Sequence, residues 1–471
     1  MVRLQFKTRL STYDITAVII ALAYSLVMVH LSLLKFKYFR YSSLDLGIFT
    51  QSLASFLHNG TFFNTVEWQL YGVSNHFAVH FQPVMYLLVP VFGLAPSART
   101  LLVIQGLALG FSVFLAYLLA GRILGKRLAL ILTLVYSLNS SLIGINLFEF
   151  HPVSLAVPLF LLSFIFLIEE NWPAFLAVSV LLLTVKEDAF LGVVSISLWW
   201  ALREGLSFES LKKNLRFVLL VLLAVLYSLI VIKLVIPHFG RDYIYNTLYK
   251  HPSMDGRKLA YFLLFNLSFG LLPLFLQRNW VLLALPWLES LLSSRSSQYS
   301  FGFHYSYMLV PLSFAASVFA LEELLQDFKN FNKPLAVLIV LALMTSLATM
   351  PLSEKPPKEP LGLVHYSTLE PLPGYKTAWR VVEVLLKTNL SVYTQPAFYP
   401  ALATKLNVYV YPAKITPDLV LVDMKTYRGR VYLKRLGEMV KAKYVRIYSK
   451  NGIVVYKRAG LELPLSLKEL D

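Results

Sequence analysis

Residues 40–51 run Arg40-Tyr41-Ser42-Ser43-Leu44-Asp45-Leu46-Gly47-Ile48-Phe49-Thr50-Gln51, directly after the first long apolar stretch, and Asp45 is their only acid. A carboxylate just outside an apolar span is costly to place unless it is solvated, caps a helix or works. As a working group it would be a general base or would hold a divalent cation. A second group, Phe148-Glu149-Phe150-His151-Pro152, sets an acid and an imidazole two positions apart. On an extended segment both side chains point to one face, where they could share a metal ion or a hydrogen-bonded substrate.

Glu149 and His151 are therefore candidate metal ligands. Lys186-Glu187-Asp188 places consecutive ionisable residues between two apolar runs, which is costly unless they are paired or useful. His76 and His80 have the i, i+4 spacing that can bind zinc. With no third ligand close in sequence and Pro83 just behind, a substrate-lining role suits them better. Arg40, Arg241, Arg257, Arg295 and His304, with Tyr305 beside it, are cations and donors that could clamp a phosphate, arginine through its planar fork. Each of these also has a plain reading as a cap, a solvated turn or a headgroup anchor. No phosphate-binding glycine loop, dinucleotide fingerprint, Ser-His-Asp signature or zinc-protease motif occurs.

The elements that must hold these residues are membrane helices. The chain has 471 residues, 57% of them hydrophobic and only 15% charged. Its mean hydropathy of +0.62 is far above that of a soluble protein. Aromatic residues gather near the ends of apolar runs, as interface anchors do. The first nine residues are basic, but the run after them is long enough to span and has no small-residue cleavage pattern, so no cleavable signal peptide is expected. The net charge of +17 is scattered over short loops, which fits membrane orientation and anionic lipid and excludes a nucleic-acid stripe. With zero cysteines there is no disulfide or thiolate site.

At about 20 apolar residues per span, the sequence predicts about eleven membrane helices. They fall at 13–34, 100–120, 128–145, 154–168, 173–185, 189–202, 217–236, 259–276, 280–292, 305–321 and 335–350, with a re-entrant or interfacial helix at 84–94. The membrane domain is thus 1–350, with a long first external loop at 35–98. Arg122, Lys126 and Arg127 share one side with Arg203, Lys212, Lys213, Arg216, Arg278, Lys329 and Lys333, whereas 146–152 carries no Lys or Arg. The positive-inside rule then makes the N-terminus cytoplasmic, and every candidate site residue external.

A proline-rich linker at 351–373 leads to a small α/β domain at 374–471, expected outside the cell membrane. Helices are predicted at 375–387 and 429–441, and strands at 391–395, 407–411 and 418–423. A hairpin at 444–448 and 453–457 turns on Asn451-Gly452.

Taken together, the chain resembles a family of uncharacterised prokaryotic multi-spanning membrane proteins similar to the GT-C superfamily of glycosyltransferases. The resemblance covers nearly the whole chain. It is carried by Leu44-Asp45-Leu46-Gly47-Ile48-Phe49, Asn75-His76-Phe77 through His80-Phe81-Gln82-Pro83, Phe148-Glu149-Phe150-His151-Pro152, Lys186-Glu187-Asp188, and His304-Tyr305 leading to Pro311. The resemblance implies a membrane enzyme that takes a sugar from a polyprenyl-phosphate donor to an acceptor on the external face. It further implies a catalytic or metal-binding carboxylate in the first external loop, where Asp45 lies, and a second acidic motif after the third span, where this chain has Glu149 with His151. Asp45 and Glu149 thereby become candidate catalytic residues, and Asp45, Glu149 and His151 candidate ligands for a divalent cation such as Mg or Mn. The rival readings are a lipid or solute transporter or flippase, and a non-catalytic scaffold. Convergence of Asp45, Glu149, His151 and a cation on one cavity separates the first reading from the last.

Overall fold

The computed structural model describes residues 10–202, 208–328, 330–353, 361–411, 415–439 and 442–464. Arg203, Lys329, part of the linker and the end of the helix expected to reach residue 441 lie outside these residues.

The first helix, Thr12–Lys37, begins with a reciprocal capping box between Ser11 and Asp14 and ends on Lys35 and Lys37, which complement its dipole. It lies close against Ala98–Leu124. Gly106 and Gly110 of that helix face Val29 and Ser25, and a Cβ on either glycine would collide with them. Small residues four apart are a membrane device, because without a hydrophobic force between helices the backbones must approach closely to gain packing energy.

Among the described residues, four helices are long and apolar enough to cross a membrane alone: Thr12–Lys37, Ala98–Leu124, Leu215–His238 and His304–Asp327. Lys126–Ser137 and Ser140–Leu147 would make a fifth as one span bent by 48°. The other expected spans are shorter. Trp172–Leu183, at 12 residues, rises only about 18 Å. The expected 259–276 helix ends at Leu267 and continues after a turn only as a short 3-10 segment, Leu272–Leu274. Leu22, Leu26, Leu222, Leu226 and Leu234 remain exposed on the two most lipid-like helices, the surface a bilayer would cover. Met85–Leu94 forms as a short helix and packs beside Ile48–Asn59.

One end of the bundle is closed by ion pairs: Lys126 with Asp14 at 2.7 Å, Arg122 with Glu169 at 2.5 Å, and Arg278 with Glu323. The C-terminal domain sits at the other end. Its five strands are β1 (Val392–Thr394), β2 (Val408–Tyr409), β3 (Leu419–Asp423), β4 (Tyr444–Lys450) and β5 (Ile453–Arg458), in the order β2-β1-β3-β5-β4. The first three are parallel and the β4–β5 hairpin is antiparallel, turned by Asn451 at φ 53° and Gly452 at φ 91°.

This domain is docked, not tethered. Phe39 stacks on Trp379 at 4.7 Å, and the Trp379 indole donates to the Lys37 carbonyl at 2.8 Å. The Tyr399 hydroxyl donates to Gln51 at 2.5 Å, and Gln69 receives the amides of Val410 and Tyr411 at 3.2 and 3.1 Å. The described part of the linker is pinned as well. The His365 amide donates to the Phe301 carbonyl at 2.8 Å, and Ser367 donates to the Leu147 carbonyl at 3.1 Å.

Candidate functional site

Asp45 occupies an unusual turn. Ser43–Gly47 leads into the helix Ile48–Asn59, and within it Asp45 has φ 42° and ψ −88°. A non-glycine residue held there costs about 1–3 kcal/mol, which the surroundings must supply. They do so from two sides. The Ser42 and Leu46 amides each donate to a different oxygen of Glu149, both at 3.0 Å. On the other side Gly47 lies flat on the Tyr399 ring, where any Cβ would collide.

Glu149 is itself held by a residue with no sequence signal, Gln105. The Gln105 side-chain amide donates to the Asn146 and Glu149 carbonyls, each at 3.0 Å, and its oxygen receives the His151 amide at 3.0 Å. The Lys35 ammonium is spent nearby on the carbonyls of Leu147 and Phe148 and on Ser367, at 2.6, 3.0 and 3.0 Å.

The Asp45 turn opens on a cavity of about 620 Å³ at the end of the bundle that carries the C-terminal domain. Asp45, Glu149, Arg40, His76, His80, His151, Lys186, Asp188, Arg295, His304 and Tyr305 all line it. Three sequence candidates stand outside the wall. Glu187 lies behind His80, and Arg241 is stacked over Tyr71 at 4.8 Å, one layer back. Arg257 donates to the Gly362 carbonyl at 2.8 Å and also stays out. Met85–Leu94 contributes nothing to the lining.

Sequence reasoning missed Glu67, Tyr243, Tyr245, Glu289 and His365, and also Arg428, which the C-terminal domain supplies. Only Glu67 had a local signal, since Asn64 caps its helix and hydrogen-bonds to it at 2.7 Å.

The cavity groups are sorted by charge. His76 lies between Glu67, at 2.9 Å from Nδ1, and the Gln82 oxygen, at 2.9 Å from Nε2. Burial would lower its pKa, but the Glu67 carboxylate outweighs that and lifts it above the ordinary value, which favours the charged form of His76. His151 stacks on His304 with ring centroids 4.2 Å apart. Burial together with the neighbouring cations holds His151 well below its usual value, hence neutral.

Lys186 pairs with Asp188, which also accepts from the Tyr307 hydroxyl at 2.6 Å. Burial alone would discharge the lysine, but Asp188, Glu187 and Glu289 keep it charged. Removal from water pushes Asp45 up to about 6, against the pull of Arg295, His76 and Lys186. Glu149 is raised by burial and by Asp45, and is opposed by its two amide donors and Lys35. Arg295 donates to the Tyr305 hydroxyl at 3.0 Å, and Arg40 to the Glu370 carbonyl at 2.5 Å. Neither has a carboxylate partner among the described residues.

The expected divalent-cation site does not fit this geometry. Both Glu149 oxygens are committed to backbone amides, and among the described residues no three His, Asp or Glu side chains converge as metal ligands. Beside the cavity, sharing Asp188, Tyr243, Tyr249 and Glu289 with it, runs an apolar groove of about 280 Å³ walled by Phe190, Leu191, Ile232, Leu285, Leu288 and Leu292.

Residues 35–430 match a family described as predicted membrane protein (DUF2079). No curated protein matches the sequence. Among solved structures the fold is similar to that of ArnT from Cupriavidus metallidurans bound to undecaprenyl phosphate. The TM-score is 0.55 and the identity 12%, with 95% of this chain and 99% of that one covered. The likeness is one of fold alone.

Proposed function

We propose, for a chain that belongs to the DUF2079 family of predicted membrane proteins, that it is a membrane glycosyltransferase using a polyprenyl-phosphate-linked sugar on the external face. The observation that carries this reading is the convergence on one cavity of Asp45 with two arginines, Arg40 and Arg295, that have no carboxylate partner among the described residues. A cavity with a poised carboxylate, guanidinium groups not paired with a described carboxylate and an adjoining apolar groove suits a substrate with a phosphate between a sugar and a long hydrocarbon. The fold it shares with a protein bound to undecaprenyl phosphate supports the same substrate class.

In this reading Arg40 and Arg295 hold the phosphate, where negative charge grows as the glycosidic bond breaks. The lipid tail lies along the groove walled by Leu285 and Leu288, not along Met85–Leu94. Asp45 takes the proton of the acceptor hydroxyl, a role for which a carboxyl raised toward neutrality is suited. Glu149 positions Asp45 and does not react. No step passes through a metal ion.

The test is transfer of a labelled sugar from polyprenyl phosphate by the purified protein in lipid. Asp45→Asn should lower turnover by about 10²–10⁴-fold while the protein stays folded. Undiminished transfer by that variant would remove Asp45 from the reaction.

A further inference from the structure

His80 and Glu187 come from segments 107 positions apart, yet they are built into one unit. His80 Nδ1 lies 2.7 Å from Glu187 Oε1, and the ring lies on Tyr245 with centroids 4.6 Å apart at 13°. The Glu187 side chain has 0% exposure and also receives the Phe81 amide and the Tyr243 hydroxyl, each at 3.2 Å. Burial would raise its pKa, but His80 and Lys186 hold it down to about 2, so it remains a carboxylate.

A buried carboxylate on Nδ1 fixes the ring and the tautomer, leaving Nε2 as the nitrogen that gains and loses a proton. That nitrogen belongs to a side chain that is 15% exposed and lines the cavity, and among the described residues it has no partner. The other imidazoles nearby lack this combination. His76 has both nitrogens committed, and His151 spends Nδ1 on the Val153 amide and stacks on His304. Besides Glu187 and Tyr245, the titratable groups facing His80 include His76 and His151, with ring centroids 6.2 and 6.4 Å away, and His304, which feels its charge.

We propose that the Glu187–His80 dyad is the proton donor to the leaving phosphate. This rests on the glycosyl-transfer reading above. The acceptor oxygen forms its bond to the anomeric carbon as the bond from that carbon to the phosphate oxygen breaks, with the electron pair staying on the phosphate. One proton passes from the acceptor hydroxyl to Asp45, and one passes from His80 Nε2 to the phosphate oxygen. The products are the glycoside and the singly protonated lipid phosphate. The proton on Asp45 returns through solvent to His80, so the cycle closes with no other reagent. Glu187 is a positioning residue that keeps Nε2 aimed at the phosphate.

The experiment uses the full chain in lipid nanodiscs with a labelled polyprenyl-phosphate sugar. His80→Gln should lower kcat by about 100-fold at unchanged donor KM. Imidazole added to His80→Ala should restore part of the rate, a response that a merely structural histidine would not give. Glu187→Gln should fall between wild type and His80→Gln in kcat, also at unchanged donor KM. If His80→Gln keeps the wild-type kcat at every pH while Asp45→Asn is inactive, the dyad is overturned and the glycosyl-transfer reading stands. If the wild-type protein transfers no sugar, both fall.

Discussion

Glu149 receives the backbone amides on both sides of Asp45, so one acid shapes the turn that presents the other. In the proposed reaction the relationship is one of scaffold to working group. It gives different roles to two carboxylates that the sequence offers together as catalytic candidates.

Glu149→Gln tests that separation. The glutamine nitrogen cannot accept, so one amide of the turn is left unpaired in a buried place, at a cost of about 1–3 kcal/mol. The expected outcome is a lower Tm and a turnover reduced by about tenfold or more, with donor KM little changed. Circular dichroism melts alongside steady-state kinetics would check it.

The pH dependence follows from Asp45, whose pKa is raised from 3.8 to about 6. The working form is the carboxylate, which is present above that value and lost as pH falls through it. The turnover of the wild-type protein should therefore rise with pH across about 6. Arg295 pulls this pKa down, so Arg295→Gln should move the acid limb to higher pH. A pH series of kcat at saturating donor measures both.

Arg40 and Arg295 should each contribute to holding the lipid phosphate. Loss of one charge-assisted contact costs about 1.4 kcal/mol or more, or about tenfold in affinity. Binding of undecaprenyl phosphate to Arg40→Gln and Arg295→Gln, followed by native mass spectrometry, should weaken by that amount. Arg241→Gln, whose guanidinium is stacked on Tyr71 behind the wall, should bind as the wild type does.

Metal chelation should leave sugar transfer unchanged, because the donors that would form a cation site are committed to the backbone or do not converge. A rate that falls with EDTA and returns with Mg or Mn would contradict this.

Much of the molecule was legible in its residues, and the reasons are local. Asp45 stood out because it is a single acid after a long apolar run. The β4–β5 hairpin was readable from Asn451-Gly452, since a tight turn needs both residues at positive φ. What stayed hidden depends on distant partners. Gln105 holds the 146–151 segment from over 40 positions away, and Arg428 reaches the cavity from another domain. A ligand set of Asp45, Glu149 and His151 looked sound as residue types, but no sequence pattern reveals that backbone amides have already taken both Glu149 oxygens. Span count was hard to read because several apolar stretches fold as helices of 12 or 13 residues, shorter than the about 20 that a single span needs.

The contact between Gly47 and Tyr399 sets an order in time. The loop bearing Asp45 leaves the ribosome early, while the ring that closes over it is made more than 300 residues later. Until then the first loop has Glu149 on one side and nothing on the other. A nascent or prematurely ended chain would thus carry every charged group of the cavity wall except Arg428 and still be silent. If the proposed reaction holds, its occurrence certifies that synthesis was completed. Chains stopped before residue 374 should insert in membranes yet transfer no sugar, and adding the separate C-terminal segment in trans should restore transfer if docking alone is what they lack.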